Sequence, residues 1–221
     1  MKRISEKKMY ATAIANDALI FLCSTFATFA TMFDFYFMYN VERASSAPYF
    51  FTFTGLSSVY AGVAALIALL VRIITKKREL NTVFYFIKLS SCVVISITFL
   101  TTAIYLAPTL ASSWWRLYVN SNLINHLIIP ILVVVGFIFL ETRPNTKYVK
   151  VLYTLIPIVI YEVIYLIRAY SHYNPEVVDL YYDIYGLTRF GIIPTIVFVF
   201  LFLAVGLGVA TGLYFLNKPK K

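Results

Sequence analysis

Long apolar runs, separated by short polar connections, dominate the pattern of this chain. Six runs are long enough to cross a hydrocarbon core about 30 Å thick, which takes about 20 helical residues. We place them at Ala18–Met38, Tyr49–Val71, Val83–Leu106, Leu123–Leu140, Val149–Ile167 and Ile192–Tyr214. The runs are continuously apolar rather than alternating, which favours helices over the strands of a membrane barrel. The sequence therefore predicts one transmembrane domain of six helices over residues 1–221.

Composition supports this all-α, polytopic membrane class. Hydrophobic residues make up 61% of the chain and charged residues 13%, and the mean hydropathy is +0.80. A water-soluble domain of this size must keep a polar surface and cannot bury three-fifths of its residues. The composition excludes a soluble enzyme, a disordered tail and a secreted disulfide scaffold. We expect a multi-pass protein of the cell membrane.

The basic residues predict how the chain is oriented. The chain's net charge of +9 does not indicate nucleic acid, because the basic residues cluster in the connections between apolar runs. We therefore expect membrane lipids as partners and no nucleic acid. One side carries fourteen of them: Lys2, Arg3, Lys7, Lys8, Arg72, Lys76, Lys77, Arg78, Arg143, Lys147, Lys150, Lys218, Lys220 and Lys221. The other side carries Arg43, Arg116, Arg168 and Arg189, so both termini are predicted to be cytoplasmic.

Ionisable groups inside the predicted spans need an explanation, because each costs several kcal/mol unless it is paired or hydrated. Asp17 and Lys88 lie near cytoplasmic ends, where snorkelling towards the interface would explain them. Four helices bring other polar residues to similar depth in the outer leaflet. They are Asp34, Thr52, Thr54, Ser57, Ser58, Asn122, Asn125, His126 and Glu162.

His126 is the only histidine within a predicted span. Asn122 precedes it by one helical turn and is close enough to orient the imidazole. Pro130 follows by four residues and cannot donate to the carbonyl of His126. A neutral imidazole can act as a general base. The alternative is a histidine that only links two packed helices.

Hydroxyl side chains crowd the outer part of the second helix. Thr54 is a candidate nucleophile, which would need a base within hydrogen-bond reach, and His126 is the only histidine at matching depth. A close helix contact is the simpler alternative, because Thr54, Ser58, Gly62 and Ala65 share one helix face.

The acids and the outer loop leave further alternatives open. Asp34 or Glu162 could orient His126 or pair with an outer arginine. These three residues have no metal-ligand spacing, so neither a metal nor another cofactor is predicted. The aromatic-rich connection Arg168–Gly191 is typical of an interfacial belt, and a short helix or cap over an outer cavity is the alternative.

Two elements resemble a known family. Phe53-Thr54-Gly55-Leu56-Ser57-Ser58 resembles the F-T-x-x-S-N element on the second helix of six-helix bacterial membrane proteins of the Pr-six-Pr type. The stretch from Asn122 to Leu132, which contains His126 and Pro130, resembles their N-x-x-x-H-x-x-x-P-L/I-L element on the fourth helix. Those proteins look like relatives of the androgen-induced membrane hydrolases, which cleave fatty acid esters of hydroxy fatty acids with a threonine and a histidine.

The resemblance implies a lipid ester hydrolase with Thr54 as nucleophile and His126 as base. Thr52 is the alternative nucleophile, because it competes with Thr54 for the alignment. Asn122 or Asn125 would steady His126 or donate to the oxyanion. The residues alone leave two other functions open. One is a small proton-coupled transporter or lipid-binding protein, and the other is a structural membrane protein without catalysis.

Overall fold

The described part of the chain is all-helical. The computed structural model describes residues 2–42, 51–106, 118–174, 179, 181–217 and 219, and within them not the side chains of residues 2–4, 34–42, 105, 106 and 120. The first three helices are α1 (Lys2–Glu42), α2 (Phe53–Thr75) and α3 (Thr82–Thr101), and a π-helical turn, Thr102–Leu106, continues α3.

The second half of the chain supplies three more helices, each interrupted or preceded by irregular turns. Helix α4 joins Asn120–Leu123, a π-helical turn Ile124–Ile128 and Ile129–Leu140. Helix α5 joins a 3-10 segment, Tyr148–Leu155, to Ile156–Ser171, and α6 spans Ile192–Leu216. Six helices of the described residues are long and apolar enough to cross a membrane, which confirms the six-helix prediction.

Two of the three prolines inside the predicted spans, Pro130 and Pro157, explain local departures from α-helix. Pro130 and Pro157 each occupy the first turn of an α-helical segment, where a missing N–H costs least. The π-helical turn containing His126 directly precedes the first, and the 3-10 segment directly precedes the second. The prolines therefore divide α4 and α5 into two geometries each rather than ending them.

Helix α3 is the central helix of the bundle. Two-thirds of its membrane-length window is buried, against 11% for α6. Small polar residues let its neighbours approach closely: Ser90 donates to the carbonyl of Thr154 in α5 at 2.9 Å. The sulfhydryl of Cys92 points to the carbonyl of Val133 in α4 at 3.6 Å. Polar residues of α3 therefore serve contacts with several helices at once.

Helices α1 and α2 meet through a glycine. A Cβ placed on Gly62 would lie 2.7 Å from the Cβ of Ser24, closer than side chains tolerate. Ser58 and Ala65, predicted to share this face, are buried as well. The structure therefore shows the predicted close helix contact at Gly62, and Ser58 and Ala65 of the same face are buried.

Antiparallel packing gives the bundle two distinct ends. One end holds the start of α1, α3 and α5 and the end of α2, α4 and α6, and we call it the basic end because those of the predicted cytoplasmic cations that the structure describes belong to it. The other end holds Thr54 and His126, and we call it the far end. Helix α1 begins at Lys2, well before the predicted Ala18, so Asp17 lies inside a continuous helix.

Candidate functional site

His126 pairs with a threonine of the central helix. Its Nδ1 lies 2.9 Å from Oγ1 of Thr102, and both side chains are buried. Each residue belongs to a π-helical turn, Thr102–Leu106 after α3 and Ile124–Ile128 within α4. Such turns are rare and occur often at functional sites, because the extra residue redirects side chains. The pair thus joins two unusual turns across one helix interface.

The imidazole tautomer decides what this pair can do. If Nδ1 is unprotonated, the Thr102 hydroxyl donates to it and can pass its proton to the ring. If Nδ1 carries the proton, it donates to Thr102, and Nε2 becomes the basic nitrogen. Nε2 makes no hydrogen bond with the residues that the structure describes. Thr102 is therefore a nucleophile in the first case and a positioning residue in the second.

A second hydroxyl pair lies one turn deeper on the same helix. Ser57 Oγ and Thr98 Oγ1 are 2.8 Å apart and buried, and they link α2 to α3. Ser58 is also buried, and its Oγ has no hydrogen-bond partner in the described structure. A buried hydroxyl without a partner costs free energy, so this part of α2 is not optimised for packing alone.

The predicted nucleophiles lie in the first turn of α2. Thr52 is the N-cap, and its side-chain oxygen accepts the N–H of Gly55 at 3.0 Å. Thr54 is half-buried, and its hydroxyl makes no hydrogen bond to His126 or to another described residue. The structure thus gives Thr52 a capping role and leaves the Thr54 hydroxyl uncommitted.

The two predicted asparagine supports behave differently. Asn125 is buried, and its amide donates to Oγ1 of Thr31 in α1 at 3.4 Å. Asn122 is half-buried, and its amide forms no hydrogen bond within the described part of the chain. Asn125 therefore links α4 to α1, and Asn122 keeps its donors free for a ligand.

Neither predicted acid is seen to contact His126. Asp34 lies in α1, but its side chain is outside the described residues. Glu162 in α5 is 8% exposed and has no ion pair or hydrogen bond in the described structure. A buried acid without a counterion is unusual in a membrane helix and needs a reason.

The aromatic-rich connection is folded around a buried acid. A 3-10 turn, Leu187–Phe190, follows Asp183, whose carboxylate is buried. This carboxylate accepts from the Tyr165 hydroxyl, from the N–H of Leu187 at 3.1 Å and from Thr188, through its N–H at 2.9 Å and Oγ1 at 2.7 Å. Burial alone would raise the pKa of Asp183, but these hydrogen bonds hold the pKa below its usual value.

The same connection holds the start of α2. The Tyr185 hydroxyl accepts the N–H of Phe53 at 2.9 Å, and it also accepts the hydroxyl of Tyr161 at 3.2 Å. Arg168 donates to the carbonyl of Tyr181 at 2.8 Å, and its guanidinium lies 3.7 Å from the ring centre of Phe51. These contacts tie the connection to the turn that carries Thr54.

The sequence analysis missed a buried cluster of four charges at the basic end. It consists of Asp17, Arg72, Lys88 and Glu141, one from each of α1, α2 and α3 and one from the residue that follows α4. We call it the charge tetrad. Arg72 lies 3.0 Å from Asp17 and 2.5 Å from Glu141. Lys88 contacts both carboxylates as well, with Glu141 at 2.5 Å.

The tetrad corrects the snorkelling explanation of Asp17 and Lys88. Both side chains are almost wholly inaccessible, so neither reaches the interface. Arg72, counted only as a cytoplasmic cation, is fully buried. Two cations and two carboxylates balance, and burial of such charges is tolerated when each one is paired.

Glu141 shows how strongly the tetrad is coupled. Burial alone would raise the pKa of Glu141, but the charges of Lys88 and Arg72 outweigh it and lower that pKa. The backbone is tied down too, since Asn217 after α6 donates to the carbonyls of Phe137 at 2.9 Å and Glu141 at 3.0 Å. The sequence did carry a signal for this cluster: two acidic and two basic residues, with charges that sum to zero, lie at similar depth in or next to the first four helices.

No group of three or more His, Cys, Asp or Glu side chains suited to a metal occurs in the described ranges. Comparison of the chain with protein-family models, curated proteins and solved structures finds no match. The family suggested by the two sequence elements therefore stays a prediction. The six apolar helices are compatible with an integral membrane protein.

Proposed function

We propose that this protein is an intramembrane lipid ester hydrolase in which His126 is the general base. The observation that carries the proposal is the buried contact between His126 Nδ1 and Thr102 Oγ1 at 2.9 Å. A hydroxyl and an imidazole in direct contact are the minimum needed for nucleophilic acyl transfer. The elements on α2 and α4 that resemble the membrane hydrolases add independent support.

The chemistry divides into two balanced steps. A threonine oxygen attacks the ester carbonyl while His126 takes the hydroxyl proton, and the proton then passes to the departing alkoxide. Water next attacks the acyl-threonine, His126 takes its proton, and the threonine is regenerated as the fatty acid leaves. The amide of Asn122, which has no hydrogen bond to the residues that the structure describes, would donate to the oxyanion.

Two threonines compete for the nucleophile. With Nδ1 protonated, Thr102 would hold the imidazole and Nε2 would serve Thr54, the residue that the family element suggests. With Nδ1 unprotonated, Thr102 itself would be the nucleophile. We assign the nucleophile to Thr54 first, because its hydroxyl has no hydrogen-bond partner in the described structure.

Labelling with a fluorophosphonate tests the proposal. We expect the wild-type protein to be labelled, and Thr54→Ala or Thr102→Ala to abolish labelling according to which residue is the nucleophile. His126→Gln should remove labelling in both cases. Thr28→Ala is the matched control, because among the described residues the Thr28 hydroxyl bonds only to the carbonyl of Ser24 in its own helix. Absence of wild-type labelling and of ester hydrolysis would contradict the proposal.

A proton-coupled transporter is the second candidate, favoured by Glu162. This carboxyl group is buried in the far half of α5 without a counterion among the described residues. Membrane acids of this kind often bind and release protons during transport. The test is proton movement into liposomes containing the protein, compared with Glu162→Gln. Equal fluxes in both proteins would exclude Glu162 from such a role.

A further inference from the structure

A groove of about 360 Å³ opens on the side of the bundle between the first turns of α3 and α5. Both helices start at the basic end, so the groove lies near that end and away from His126. Its floor includes the buried residues Phe86 and Ser90, and its rim includes the exposed residues Val83 and Tyr153. The groove therefore opens on the outer surface of the bundle and not into its interior.

The lining of the groove is mainly apolar. Tyr60 and Ser90, two of its polar residues, are already engaged: Tyr60 donates to the carbonyl of Ile87 at 3.4 Å, and Ser90 donates to that of Thr154 at 2.9 Å. The rest of the lining is largely apolar and includes Ile156 and Pro157. Such a surface is suited to an acyl chain and offers little to a polar solute.

One cation lines this apolar groove. Lys150 is half-buried, and no carboxylate lies within ion-pair distance of it in the described structure. Of the described acids at the basic end, Asp17 and Glu141 are bound within the charge tetrad, and neither Glu6 nor Glu79 forms an ion pair with Lys150. Lys150 therefore offers an unneutralised ammonium group directly beside an acyl-sized surface.

We propose that this groove binds an anionic phospholipid, with its phosphate on Lys150 and an acyl chain along α3 and α5. Charge complementarity selects the headgroup, because a basic side chain at the end of membrane helices attracts anionic lipid. The apolar lining selects a chain rather than a free anion. The site is separate from His126, so it does not depend on the proposed hydrolase activity.

Native mass spectrometry of the delipidated full chain tests the proposal. Equal amounts of phosphatidylglycerol and phosphatidylcholine are added, and the bound lipids are counted. One lysine at a membrane surface contributes about fivefold in affinity, so we expect about a fivefold preference for phosphatidylglycerol. Lys150→Gln should bring the preference close to one. Lys147→Gln is the matched control, because Lys147 is exposed outside the groove, and it should keep the preference.

Two further measurements separate the possible ligands. Ile156→Trp should reduce retention of both lipids, because the larger side chain fills the groove from its exposed rim. Millimolar inorganic phosphate should not displace phosphatidylglycerol. Displacement by phosphate would identify a simple anion site and overturn the proposal. Equal losses of preference in the Lys150 and Lys147 variants would also overturn it, because surface charge would then suffice.

Discussion

Arg72 and Glu141 are 69 residues apart in the chain, yet their side chains meet at 2.5 Å inside the helix bundle. Neither side chain reaches solvent, and each also contacts another member of the charge tetrad. These contacts link four helices at the basic end. If two of the charges moved apart, each would still be buried and would lack a partner. Loss of one member would therefore leave an unpaired charge inside the bundle.

Removing one charge of the tetrad should destabilise the protein strongly. Lys88→Met leaves one surplus buried carboxylate, and loss of a partner from a buried pair costs about 3–5 kcal/mol. Adding Glu141→Gln restores the charge balance, so the double variant should be more stable than the sum of the single effects predicts. Unfolding in mixed micelles measures both, and strictly additive losses would contradict the closed tetrad.

The carboxylate of Asp183 should make the free energy of unfolding decrease at acidic pH. Its folded-state pKa lies below the unfolded value of about 3.9, so its contribution is complete above that value and disappears as pH falls through the lowered pKa. Asp183→Asn should lose about 1.5–3 kcal/mol at neutral pH, as expected for hydrogen bonds to a charged group. Thermal unfolding from neutral pH down to about pH 3 measures the difference between the two proteins.

The stability difference between wild type and Asp183→Asn should shrink towards the acid end of that range. Asp179→Asn serves as a control, because Asp179 is exposed and its carboxylate accepts only the N–H of Tyr181 in the described structure. A difference that stays constant with pH would show that titration of Asp183 is not involved.

The glycine contact between α1 and α2 should be intolerant of a side chain. In Gly62→Val the new Cβ would lie 2.7 Å from that of Ser24, and overpacking of this kind costs about 1–3 kcal/mol. Gly208→Val in α6 is the control, because a Cβ there has no neighbouring atom within 4 Å among the described residues. Equal effects of the two substitutions on unfolding would argue against a close contact at Gly62.

The basic end should face the cytoplasm. Cysteines introduced at Asp179 and at Lys221, in a chain whose Cys23 and Cys92 are replaced by alanine, report the two sides. A membrane-impermeant maleimide added to intact cells should label position 179 and not position 221, because basic residues are retained on the inner side. The reverse pattern would invert the predicted topology.

Hydropathy was sufficient to predict the helices, because lipid requires every span to satisfy its own backbone hydrogen bonds. Helix α6 begins at the predicted Ile192, while α2 begins at Phe53 instead of Tyr49, where Thr52 caps it. The cap fits the preference of threonine for that position, a signal that hydropathy does not measure.

The side-chain partners could not be predicted in the same way. Thr102 is one of several hydroxyl residues in α3, and nothing in its local sequence marks it as the partner of His126. Its position depends on the π-helical turns in both helices, which shift the facing register. Arg72 was assigned to topology by its place in a basic connection, and only the packing of distant helices reveals its partners.

All four members of the tetrad lie within the first 141 residues of the chain. A nascent chain that has delivered α1 to α4 into the membrane already holds a complete, neutral set of partners for its buried charges. The first four helices can therefore assemble before α5 and α6 are synthesised, and the last two dock onto four helices that are already packed. Truncation after Glu141 is consequently expected to be tolerated far better during membrane insertion than truncation before it.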